Sequence, residues 1–250
     1  MGARSTSSTD IPKSGNPMEA NMKAKQLFSA KNIAYFAVLL ALVVVLQIWG
    51  GFFQIAGLSL SFVLVPIVLG GILLGWQAGA LLGLSFGFIV LMYGVAGAEP
   101  FTAYLFNNSP IATVLICTVK GVATGVVPAL LYRLIANKNS YVAAIVAALS
   151  APIMNTGIFI IGCLIISGTL TGWMEYAVSQ GWMQSVQAVP YYLFIGLAGL
   201  NFIIEFAINV LLGPAIHRVV IVVEKAMGKK RKKVAADADL EADCETENKS

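Results

Sequence analysis

Charge is what this 250-residue chain has least of: 11% of its residues are charged, while 58% are hydrophobic. A typical soluble domain is about a quarter charged. With a mean hydropathy of +0.82, so apolar a surface needs a bilayer to cover it. Histidine is scarcer still. The single one, His217, sits beside Arg218 at the end of an apolar run and fits a helix-end cation. No Ser/His or Cys/His set, no H-E-x-x-H and no paired acids at metal spacing occur, so an enzyme is argued against and neither cofactor nor metal is expected. A G-x-x-x-x-G-K-[ST] run is missing too, which excludes ATP hydrolysis through a P-loop. The three cysteines, Cys117, Cys163 and Cys244, have no C-x-x-C spacing. They read as two packing residues and a tail thiol, with no disulfide.

What is present is a series of apolar runs. The expected spans are 32–49, 60–75, 77–93, 110–135, 141–167 and 190–218. Each is judged against the roughly 20 residues a helix needs to cross. The second is short and carries Pro66, Gly70 and Gly71, and a tight turn is expected at Gly75 and Trp76. Residues 50–59 and 94–109 read as loops, and 168–189 as a polar segment with a short interfacial helix. The first apolar run, Ile33 to Ile48, leads into further spans and reads as a helix rather than a cleaved signal peptide. The fold class is therefore all-α: one six-helix transmembrane domain over residues 31–223. Residues 1–30 form a flexible tail, and 224–250 a polybasic then acidic tail containing Lys229 to Lys233.

Lysine and arginine orient the chain. Lys23, Lys25 and Lys31 precede the first span, Arg133 and Lys138 flank the turn after the fourth, and Arg218 and Lys225 follow the sixth. The loops after the first, third and fifth spans carry none, only Glu99 and Glu175. The positive-inside rule places both termini in the cytoplasm. The basic excess behind the net charge of +4 reads as topology and lipid contact rather than nucleic-acid binding.

Small residues recur at spacing four: Gly75, Gly79, Gly83 and Gly87 on span three, Gly121 and Gly125 on span four, Ala37 and Ala41 on span one. Such spacing lets helix backbones approach closely. Deep charge is rarer. Lys120 is the only lysine or arginine deep in a span and Glu205 the only carboxylate there. A central lysine costs about 2.5–3.5 kcal/mol on insertion scales, so a partner or a function is expected. Asn201, Glu205 and Asn209 form one stripe on span six, and Asn155 lies at similar depth on span five. Two readings stand. Lys120 and Glu205 neutralise each other as a packing device, or Lys120 meets an anionic substrate with Glu205, Asn155 and Asn201 as hydrogen-bonding neighbours. Phe52, Asn107, Asn108 and Trp173 join the candidate site from the outer loops, where aromatics and amides cluster. Interfacial belts and small-molecule sites both use such residues.

Several segments carry a family resemblance. They are the Ala37-x-x-x-Ala41 pair, LSFVLVPIVLGGILLGWQAGALLGLSFG from Leu60 to Gly87, VKG on span four, PIMNTG on span five and NFIIEFAIN on span six. Over residues 32–220 the chain resembles the substrate-binding S components of energy-coupling factor (ECF) vitamin transporters. The resemblance implies a six-helix protein of the bacterial plasma membrane that captures a water-soluble vitamin from outside. A membrane coupling (T) subunit and two cytoplasmic ATPase subunits would drive release inward, with Ala37 and Ala41 as docking residues for the coupling subunit. Pantothenate, whose carboxylate suits Lys120, is one expected substrate, and folate and riboflavin stay open. The competing readings are a self-contained ion-coupled transporter or channel using Lys120 and Glu205, and a membrane scaffold.

Overall fold

The computed structural model describes residues 30–52, 54–55, 58–59 and 62–226. Residues 1–29 and 227–250, with the polybasic run and Cys244, lie outside the described residues, while residues 30 and 224–226, expected in the tails, are helical. Among the described residues, five helical segments are long and apolar enough to cross a membrane. They are α1 (Ala30–Gly50), α3 (Trp76–Val95), α5 (Pro110–Ile135), α6 (Ser140–Ile165) and the continuous run Val189–Ala226. The last run comprises a short α8 (Val189–Tyr191), a π-helical stretch (Tyr192–Leu197) and α9 (Ala198–Ala226). The chain is thus an all-α membrane protein whose long helices coincide closely with the expected spans.

Three features differ from the sequence reading, and a fourth agrees with it. α2 (Leu64–Leu74) has only 11 residues, about 16 Å of rise against a hydrocarbon core of about 30 Å. It ends at Gly75, whose φ of 102° is open to glycine and stops the helix before α3 begins. The first loop contains a two-residue hairpin, β1 (Gln54–Ile55) paired antiparallel with β2 (Leu58–Ser59). The 94–109 loop is mostly helix, α4 (Pro100–Asn108), started by Pro100 at a position where no backbone N–H is needed. The 168–189 segment carries α7 (Ser167–Ser179), the expected interfacial helix, at greater length than a single turn.

Small residues explain the closest packing. α3 and α5 share the most extensive helix contact, followed by α5 with α6. A Cβ built on Gly79, Gly83 or Gly87 would overlap the backbone carbonyls of Gly125, Gly121 or Cys117, so these helices touch backbone to backbone. Gly75 is not part of that contact. On α6 the buried Ala143, Ala144, Ala147, Ala148 and Ala151 present a similarly flat face. The opposite, outward surface carries exposed Val45, Leu81, Phe88, Leu115, Ile165 and Leu211, as lipid contact requires.

The buried side chains form two clusters. One joins α1, α2, α3, α5, α6 and α9 around Val43, Ile67, Leu82 and Phe86. The other joins α4, α5, α6, α7 and the π-helical stretch around Phe101, Phe159, Trp173 and Leu193. A cavity lies where they meet, lined from the first by Val90 and Cys117 and from the second by Phe101, Leu105, Ile116 and Phe159.

Candidate substrate pocket

Lys120 reaches the cavity from α5, ten residues past Pro110 and so about 15 Å along the axis. Its Nζ lies 5.6 Å from the ring centroid of Phe86 on α3 and 5.4 Å from that of Phe159 on α6. Both distances fall within the roughly 6 Å at which a ring face attracts a cation. Among the described residues no carboxylate comes within 4.0 Å of the ammonium, and none accepts its N–H donors. The rings replace part of the lost hydration and leave the donors for another group.

Glu205, 1% exposed, turns to amides. Its Oε2 accepts from Asn155 Nδ2 at 3.1 Å and its Oε1 from Asn201 Nδ2 at 3.0 Å. One turn further along α9, Asn209 Nδ2 donates to the Glu205 carbonyl at 2.8 Å. With their nitrogens on the carboxylate, Asn155 and Asn201 have their carbonyl oxygens elsewhere, and both oxygens are buried without a partner. Asn155 and Asn201 line the cavity, with Glu205 behind them.

Sequence reasoning missed several polar lining residues. Gln47 on α1 is 1% exposed and its Oε1 has no partner. Its signal was an amide alone in the apolar stretch LVVVLQIWG. Glu99, the residue just before α4, is buried and accepts a hydrogen bond from the Thr102 hydroxyl, itself buried. A polar segment read as loop gave no sign that either faced inward. Thr113, Thr156 and the free Cys117 complete the polar lining.

The remaining expected residues are placed around this core. Trp173 is fully buried behind Phe101, with ring centroids 5.3 Å apart and edge-on, and donates Nε1 to Tyr192 Oη at 2.7 Å. Tyr104, Tyr176 and Trp182 stack around it, tying α4 to α7 as a roof over the cavity. Asn107 and Asn108 are exposed at the end of α4, where Asn108 Nδ2 donates to Tyr104 O at 2.9 Å. Phe52 is 79% exposed beyond α1. Among the described residues no three of His, Cys, Asp and Glu converge as metal ligands.

The cavity encloses about 40 Å³. A water needs roughly 10–15 Å³ on this measure, so a few fit. Small-molecule pockets commonly span about 300–1,000 Å³. A vitamin-sized ligand therefore has to widen it.

Residues 31–217 match the family of ECF transporter substrate-specific components. The chain belongs to that family. Like its relatives, this S component is a multi-pass cell membrane protein that captures a vitamin-type small molecule. It is a transporter component rather than an enzyme, and it works with partner subunits. It is also 26% identical, over 161 residues, to the pantothenic acid transporter PanT of Lactococcus lactis subsp. cremoris (strain MG1363), covering 58% of this chain and 78% of that one. No solved structure matches the chain.

Proposed function

We propose that this S component captures pantothenate, holding the carboxylate on Lys120. The observation that carries the reading is the half-buried ammonium on two aromatic rings, with its donors not taken up by any described residue. A carboxylate there gains charge-assisted hydrogen bonds in surroundings that screen weakly. The likeness to PanT points to the same substrate. Asn155 and Asn201, oriented by Glu205, contact the ligand. Trp173 supports the roof that must move. Phe52, Asn107 and Asn108 reach the ligand only through movement of the first loop and the end of α4. An ion-coupled carrier would pass protons between Lys120 and Glu205, but the first lies on rings and the second on amides.

The same reading gives six crossings over residues 31–223, with both tails in the cytoplasm. α2 is the shortest crossing. Most of its residues are buried, and irregular backbone at membrane depth is tolerated inside protein. A membrane coupling subunit docks on α1, where Ala37 and Ala41 are exposed, and two cytoplasmic ATPases drive release.

The test is thermal stability of the purified chain against a panel of vitamins. A ligand at one hundred times its dissociation constant adds about 2.7 kcal/mol of stability. Pantothenate shifting the melt supports the reading. A shift by another vitamin alone, or none from a folded sample, overturns it.

A further inference from the structure

We infer that Gln47 is a specificity-determining contact, and that the pocket selects a ligand with one anionic group and several N–H or O–H donors. This rests on the cavity being the substrate pocket, as proposed above. The polar groups lining it are unbalanced. On the donor side stands the ammonium of Lys120. On the acceptor side stand three buried carbonyl oxygens without partners among the described residues, Gln47 Oε1, Asn155 Oδ1 and Asn201 Oδ1. The Glu99 carboxylate, 4% exposed, lines the same cavity.

Leaving a buried acceptor unpaired costs stability, and three in one small cavity compound that cost. The two asparagines cannot relieve it by turning over. Rotation would take their N–H donors off Glu205 and set carbonyl oxygen against carboxylate. A ligand offering hydroxyl or amide hydrogens satisfies all three. Pantothenate has that pattern: one carboxylate, two hydroxyls and an amide N–H. A second anionic group would face carbonyl dipoles and Glu99, so the phosphate monoester of the same molecule is excluded by charge as well as by size.

Gln47 is the decisive member because it comes from α1, and its Oε1 has no partner in the structure. Gln47→Leu separates the two roles it can have. If Gln47 only packs, leucine replaces it with no change in pantothenate affinity. A ligand contact loses only an unpaired acceptor, so the ligand-free protein melts no lower while binding suffers.

The experiment is calorimetric titration of the full purified chain with pantothenate, with pantothenol, which lacks the carboxylate, and with 4′-phosphopantothenate. Ligand-free melting temperatures of the wild type and Gln47→Leu are measured alongside. Gln47→Leu is expected to melt at or above the wild type and to bind pantothenate about tenfold more weakly. The wild type is expected to bind the phosphate ester about a hundredfold more weakly than pantothenate, and Glu99→Gln to narrow that gap. Unchanged pantothenate affinity or a lower ligand-free melting temperature in Gln47→Leu overturns the contact. A phosphate ester bound as tightly as pantothenate overturns the charge selection. Pantothenol bound as tightly as pantothenate, or no pantothenate binding at all, instead overturns the substrate reading beneath it.

Discussion

Glu205 shows how one buried carboxylate organises a site without lining it. Its two oxygens hold Asn155 and Asn201 by their nitrogens, which fixes where the amide carbonyls go. Glu205→Gln replaces one acceptor oxygen by a donor, so one asparagine loses its partner. The loss of such a buried hydrogen bond costs about 1–3 kcal/mol, and a chain of this size melts about 2–4 °C lower for each kcal/mol. A melt of the variant that matches the wild type would contradict this role. At this scale the sequence was most informative where a residue was anomalous. Lys120, Asn155, Asn201 and Glu205 stood out because polar groups are costly at membrane depth, and all four meet in or directly behind one cavity. What depth could not settle was pairing. Lys120 and Glu205 lie at comparable depth, yet side-chain direction takes one to rings and the other to amides. Gln47 gave a weaker signal because an uncharged amide is a smaller anomaly. Glu99 gave none, since its burial depends on α4 folding back.

At the scale of elements, glycine decides how close α3 and α5 come. A Cβ on Gly83 would overlap the Gly121 carbonyl oxygen, a backbone atom that cannot swing aside. Gly83→Ala is expected to push the helices apart and destabilise by about 1–3 kcal/mol. Gly157 on α6 has nothing within 4 Å of the same position, so Gly157→Ala should be neutral or gain about 0.5–1 kcal/mol from helix propensity. Parallel thermal melts check the pair, and equal effects at both sites would count against backbone contact. The long helices were legible because an apolar run of span length has few other uses. α4 was harder to read, being short and polar enough to pass for loop, whereas α7 falls in the segment expected to hold an interfacial helix. The π-helical stretch Tyr192–Leu197 left no pattern, since it depends on how the backbone packs beside the cavity rather than on composition.

For the whole molecule, α1 presents two different faces. Gln47 faces the cavity, while Ala37 and Ala41 are exposed. Tryptophan at both alanines should abolish uptake in cells expressing the complete transporter, yet leave vitamin binding by the isolated chain unchanged. Impaired binding would show that these positions serve the fold rather than docking. The closed cavity sets a second requirement, because about 40 Å³ cannot admit a vitamin and the α4–α7 roof has to shift as it enters. The central claim is that Lys120 grips the substrate carboxylate. It is tested most directly by titrating pantothenate into wild-type and Lys120→Ala protein, both verified as folded. The account expects saturable binding by the wild type and affinity more than about tenfold lower in the variant, the loss of a charge-assisted hydrogen bond. Equal affinity in the two proteins would contradict it.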